Sequence, residues 1–219
     1  MSLNLLHDGV GVTKMVTKMK SEKINRIYSL FNDETTVLST AILNKNGIYT
    51  RNITELVNTG FLSRVRQGYY ILNQAKSDIS DIVLVSKLIP KGVLCLYSAT
   101  EYYDLSTVNP QKIYIALPRG TVAPSLPEYL QVNVRQMINK YYELGISTVD
   151  FDGAPVKIYD MEKTVCDCFK YDNEVEKVVS LEILKNYVSN ENCNIQKLLE
   201  YAKVLGKRKT ILPYIEAMI

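Results

Sequence analysis

The chain has no tryptophan and a single histidine, His7. One imidazole in a leader segment excludes a Ser-His or Cys-His nucleophile pair. It also makes a zinc site improbable, because the remaining soft ligands are only four cysteines, Cys95, Cys166, Cys168 and Cys193. Four thiols in 219 residues do not form a disulfide framework. Cys166 and Cys168 fall two apart on a predicted helix and point about 200° apart, so they cannot share one ion. No glycine-rich phosphate loop of either common type occurs. No apolar run approaches the ~18 residues that a spanning helix needs. The segment 1–20 has no basic start, long apolar centre or small-residue cleavage site, so it does not read as a signal peptide. It reads as a disordered leader, partly vector-derived or from an upstream start codon. These absences point to a reduced, metal-free, cofactor-free protein of the cytoplasm, with no membrane partner.

Hydrophobic residues make up 47% of the chain, enough for real cores, with 16 Tyr carrying most of the aromatic volume. The charge is uneven. Residues 1–75 hold nine Lys/Arg against five Asp/Glu, a net of +4, whereas residues 76–219 hold seventeen against eighteen, a net of −1. A basic small domain beside a nearly neutral larger one suits a nucleic-acid reader joined to a second module.

The stretch 36–72 is the most informative. Ser39 or Thr40 can cap a short helix carrying Ala41 and Ile42, and Asn46-Gly47 stops it. Thr50 is expected to cap a second helix, in which Ile53, Leu56 and Val57 form the inward stripe. Arg51, Asn52, Glu55 and Asn58 are left on its other face. Asn58-Thr59-Gly60 closes that helix. Phe61 to Val65 and Tyr69 to Leu72 then alternate around Arg66-Gln67-Gly68, a hairpin turn with glycine at the left-handed position. With an earlier helix carrying Ile24, Ile27, Tyr28 and Phe31, these are the parts of a winged helix-turn-helix. Such a domain offers Thr50, Arg51, Asn52 and Glu55 to a major groove, and Arg64, Arg66 and Gln67 to the backbone from the wing.

Beyond a polar connector at 73–80, the pattern mixes strands and helices. Helices are expected at Asp81 to Ile89 and from Ser98 to Tyr103. Strands are expected at Lys112 to Leu117 and Leu130 to Val134, with a hairpin around Asp152-Gly153. The chain is then nearly all helix. Asp160 is expected to cap a helix that keeps Glu162, Lys163, Asp167 and Lys170 outward, and Thr210 to cap the last. The fold class is thus α/β (α+β): a leader at 1–20, a winged helix-turn-helix at 21–76 and a larger mixed domain with a helical end at 77–219.

Acidic residues cluster at Asp150, Asp152, Asp160, Glu162 and Asp167, with Lys157 and Lys163 nearby. A metal-dependent nuclease would need two or three such carboxylates at one site. Turn and cap positions explain Asp152 and Asp160 more simply. Arg119, in a Pro-Arg-Gly turn, and Lys207-Arg208-Lys209, expected between the last two helices, are candidates for partner or phosphate contacts.

The segments Val37 to Leu43, Asn46-Gly47 and Gly60 to Leu72 resemble the winged-helix domain of AbiEi-like antitoxins, from AbiE-type abortive-infection (type IV toxin–antitoxin) systems. The later half is similar to the same family at Ile115 to Gly120, at Asp152 to Tyr171 and in the closing Leu198 to Met218. The resemblance spans residues 21–219. The chain departs at Tyr102-Tyr103-Asp104-Leu105, where many relatives carry Leu-His-Gly. The resemblance implies a non-enzymatic autorepressor that binds repeats in its own promoter, and a dimer on DNA is a separate expectation. It also implies neutralisation of a nucleotidyltransferase-like toxin, without need of a stable complex. Two alternatives stay open on the residues: a transcription factor with a ligand-sensing or dimerisation domain, and a metal-dependent nuclease-like enzyme.

Overall fold

The computed structural model describes residues 21–31, 37–73 and 79–219. The leader with His7, the start of the 36–72 stretch and most of the 73–80 connector lie outside the described residues. The chain is mixed α/β, with helices and two sheets. It divides into two compact units, one reaching Leu84 and taking in Ser125–Pro127, the other formed by Val85–Pro124 and Glu128–Ile219. Among the described residues no helix is long and apolar enough to cross a membrane.

The smaller unit runs α1 (Ser21–Leu30), β1 (Leu38–Ser39), α2 (Thr40–Lys45), α3 (Thr50–Asn58), β2 (Leu62–Arg66) and β3 (Tyr69–Leu72). Ser39 caps α2, its hydroxyl accepting from the Ile42 N–H at 3.3 Å. The inward residue of this helix is Leu43, while Ala41 and Ile42 stay exposed. Gly47 takes a φ of 77° and turns the chain into α3. Thr50 is not the cap of α3. It is the first helical residue, and Tyr49 holds the cap position with no side-chain hydrogen bond. Ile27, Leu38, Leu43, Ile48, Ile53, Leu56 and Leu62 are buried together as the core.

β1, a two-residue strand not foreseen in the sequence, completes a three-stranded antiparallel sheet in the order β1-β3-β2. Regular pairing from Arg64↔Tyr70 would set Arg66 opposite Gly68. A bulge between Arg64 and Arg66 sets it opposite Tyr69 instead. The hairpin turn is tied down from outside the hairpin. The Gly68 carbonyl accepts from the Thr40 N–H at 2.8 Å and from the Thr40 hydroxyl at 3.2 Å.

The larger unit holds the second half of α4 (Asp81–Leu88), then β4 (Val93–Leu94), α5 (Leu96–Tyr102), β5 (Ile113–Pro118), β6 (Val132–Met137) and α6 (Asn139–Tyr142). It continues through β7 (Ile146–Phe151), β8 (Ala154–Tyr159), α7 (Met161–Lys170), α8 (Lys177–Val188), α9 (Ile195–Val204) and α10 (Arg208–Met218). The sheet order is β6-β5-β4-β8-β7. Pairs β5–β6 and β4–β8 are parallel, and pairs β4–β5 and β7–β8 are antiparallel. Asp152 and Gly153 both take positive φ, 52° and 78°, the primed turn that a two-residue hairpin needs.

Helix α7 departs most from expectation. Asp160 does cap it, accepting from the Lys163 N–H at 2.8 Å. Yet Glu162, Lys163 and Asp167 are buried rather than outward. Every residue from Glu162 to Phe169 is buried, because α5, α8 and α9 all pack on this helix. The last helix also starts earlier than Thr210. Lys207 is its cap residue, and Arg208 and Lys209 lie in its first turn rather than in a connecting loop.

Candidate functional site

The residues singled out for nucleic-acid contact in the smaller unit lie on α3 and the β2–β3 hairpin, and α3 packs on β2. The helix holds Ile53 and Leu56 inward, both buried, which fixes its rotation. Thr50 and Arg51 are then exposed, while Asn52 and Glu55 are half-buried. The Thr54 hydroxyl donates back to the Thr50 carbonyl at 3.0 Å, so Thr54 is occupied within the helix. On the hairpin, Arg64 and Gln67 are exposed. Arg66 is half-buried, with its guanidinium 3.8 Å from the centre of the Tyr69 ring.

Two aromatic residues at this surface escaped the sequence reading. Tyr49 is 64% exposed directly before Arg51's helix, and Tyr69 carries the Arg66 stack. Neither belongs to an apolar stripe, so periodicity gave no signal for them. The bulge that brings Tyr69 opposite Arg66 is likewise invisible to a strict alternation of two.

In the larger unit, Arg119 is exposed just past β5, its backbone N–H bonded to the Met137 carbonyl at 2.6 Å. Lys207 reaches Asp172 at 3.9 Å, while Arg208 and Lys209 are exposed. Two cations in the first turn of α10 oppose the helix dipole, which favours anions there. Their placement has no stabilising role in the helix itself.

Four of the five acidic residues considered for a nuclease have structural partners, and the fifth, Asp152, is an exposed turn residue. The Asp150 carboxylate accepts from the Gly153 N–H at 3.0 Å and shapes the hairpin turn. Lys197 bridges Asp160 at 3.0 Å and Glu162 at 2.9 Å. Tyr187 also donates to Glu162, at 3.0 Å. Burial would lower the Lys197 pKa, but its bonds to Glu162 and Asp160 outweigh that and raise it. Asp167 pairs with Lys163 inside the core, where burial pushes its carboxyl above the usual range and Lys163 pulls the other way. Among the described residues, no three His, Cys, Asp or Glu side chains gather in a way that could hold a metal ion.

Burial, reinforced by Asp167, raises the thiols of Cys95, Cys166 and Cys168, so these are core residues in their neutral form. Cys193, half-buried, is not part of that set. No protein-family model matches the chain, and no curated protein matches it.

Proposed function

We propose that the protein is a DNA-binding antitoxin and autorepressor of an AbiE-type toxin–antitoxin operon, working in the cytoplasm without catalytic activity. The observation that carries the DNA-binding part is the smaller unit. Two short helices joined by a glycine turn, then a hairpin tied to the first of them, match the layout of a winged helix-turn-helix. In that reading α3 is the recognition helix. Arg51 and Asn52 read guanine and adenine edges, with Thr50 and Glu55 alongside. Arg64, Arg66 and Gln67 contact phosphates from the wing. The antitoxin part rests on the resemblance of the later half. There, Arg119 and the Lys207-Arg208-Lys209 turn offer cations to an acidic partner or to flanking phosphates.

Two measurements test this reading. The full chain should bind DNA taken from upstream of its own reading frame more tightly than a mixed-sequence duplex at the same salt concentration. Equal affinity for both would remove the autorepressor. Co-expression of the full chain should rescue growth when the adjacent reading frame is induced. A toxic neighbour that it fails to rescue would leave a DNA-binding regulator and no antitoxin.

A further inference from the structure

We infer that Tyr69 is a positioning residue for DNA binding: it holds the Arg66 guanidinium in a fixed plane, ready to meet a backbone phosphate. The inference rests on the DNA-binding reading and adds a residue to it. Arg64 and Arg66 are two residues apart on one strand, yet the structure treats them differently. Arg64 is exposed, opposite Tyr70. The bulge places Arg66 opposite Tyr69, and its guanidinium stacks 3.8 Å from that ring centre. Its Nε is shut away from solvent with no hydrogen-bond partner among the described residues, so the side chain is held up to the root of the guanidinium.

No hydrogen bond or ion pair to a described residue takes up the terminal nitrogens of Arg66. An arginine stacked on an aromatic face keeps its in-plane donors free for a planar or tetrahedral anion. Such a side chain has less rotamer freedom left to lose on binding. The turn beneath it is itself anchored, through the two bonds from Thr40 to the Gly68 carbonyl. A cation held on a fixed hairpin, with its donors unused, is suited to a phosphodiester backbone and not to a single base edge. Its contribution is therefore expected on every sequence.

The test is a double-mutant cycle on the full chain, read by fluorescence anisotropy over a series of salt concentrations. The probes are a labelled mixed-sequence duplex and the upstream duplex. Tyr69→Leu is expected to weaken binding to both about two- to fivefold, the range of an exposed cation–π contact. Its salt slope should be unchanged, since no charge is lost. Arg66→Ala should lower the slope by about one ion, and in that background Tyr69→Leu should have no further effect. Tyr69→Phe, which keeps the ring, should bind as the unaltered chain does. Arg66→Lys, which keeps the charge but not the planar stack, should resemble Tyr69→Leu. The inference is overturned if Tyr69→Leu weakens binding equally with Arg66 absent, or if both Tyr69→Leu and Arg66→Lys bind as the unaltered chain does. If the unaltered chain binds neither duplex, the DNA-binding reading fails, a result distinct from either of those.

Discussion

The Lys163 ammonium lies 2.5 Å from the Asp167 carboxylate, one helical turn apart, and neither side chain has any solvent exposure. The ammonium also sits 4.1 Å from the Tyr159 ring centre and 4.0 Å from the Met137 sulfur. The second Asp167 oxygen has no hydrogen-bond partner among the described residues. Desolvating both ions is costly, and their attraction offsets that cost only while both are present.

Removing one partner should therefore do more harm than removing both. Lys163→Met is expected to destabilise the chain by about 3–5 kcal/mol, with much of that recovered in Lys163→Met/Asp167→Leu. Urea unfolding of the full-length variants measures it. Asp167 has its pKa raised by burial, so its protonated form favours the fold. The resulting stability is fully present below the unfolded carboxyl value near ~4 and is lost as pH rises through the folded value. The Lys163→Met deficit should then shrink as pH falls from neutral towards that value. A deficit independent of pH would place the damage in packing instead of charge.

Gly145 should be the least replaceable glycine beside α7. It has a φ of 72°, and a Cβ there would fall 2.8 Å from the Lys163 Cβ and 2.9 Å from the Asp160 carboxylate. Gly153 has a similar φ of 78° with nothing within 4 Å. Gly153→Ala carries only the left-handed penalty of ~1–2 kcal/mol. Gly145→Ala adds overpacking, commonly another ~1–3 kcal/mol. Thermal melts of the two variants compare them directly, and equal losses would contradict the geometry.

Alkaline unfolding should be steep. Burial raises the phenols of Tyr159, Tyr187 and Tyr171, the last to about 12. A raised folded pKa gives stability that is complete below the unfolded value of about 10 and is lost as pH climbs towards the folded one. Above about pH 10, each fully buried phenol such as Tyr159 or Tyr187 removes up to ~1.4 kcal/mol of stability per pH unit. Tyrosinate absorbance from these rings should appear together with the loss of far-ultraviolet ellipticity. Their ionisation in a chain that keeps its secondary structure would refute the burial argument.

Arg51 and Arg64 should separate on sequence specificity. Under the proposed recognition-helix reading, Arg51→Ala should cost about 1–3 kcal/mol on the upstream duplex and little on a mixed one. Arg64→Ala should weaken both alike and reduce the salt slope by about one. Anisotropy titrations on the two duplexes measure this, and a reversed pattern would exchange the roles assigned to helix and wing.

Glycine turns were the most legible features of this chain, whereas caps were legible at Ser39 and Asp160 but not at Thr50 or Thr210. Asn46-Gly47, Asp152-Gly153 and the Gly68 turn appear where glycine is required at positive φ, and Asp160 caps α7. Local chemistry decides such positions, and a single sequence carries it. The burial of α7 was not legible. Lys163 and Asp167 sit four apart, the spacing of a solvated salt-bridged face, and only the surrounding helices make that face internal. The two-residue strands β1 and β4 are too short for any alternation to show. In the candidate interface, Arg51 and Arg64 could be singled out from charge and spacing. Tyr49 and the Arg66–Tyr69 stack could not, because one is an exposed aromatic and the other depends on a register shift.

The central strand of the larger sheet has a consequence for the order of assembly. β4 is only Val93–Leu94, yet it joins β5 on one side to β8 on the other, through Leu94↔Ile158. The β7–β8 hairpin closes locally, whereas β4 meets β8 only after a long excursion of chain. Contacts so distant in sequence slow folding, since loop closure precedes any gain from pairing. During synthesis the β4–β5–β6 half emerges first and presents the open side of β4 until Ile158 arrives. Nascent or truncated chains ending before Ala154 would leave Val93–Leu94 unpaired on that side, and its two-residue length keeps the open edge too short to template another chain.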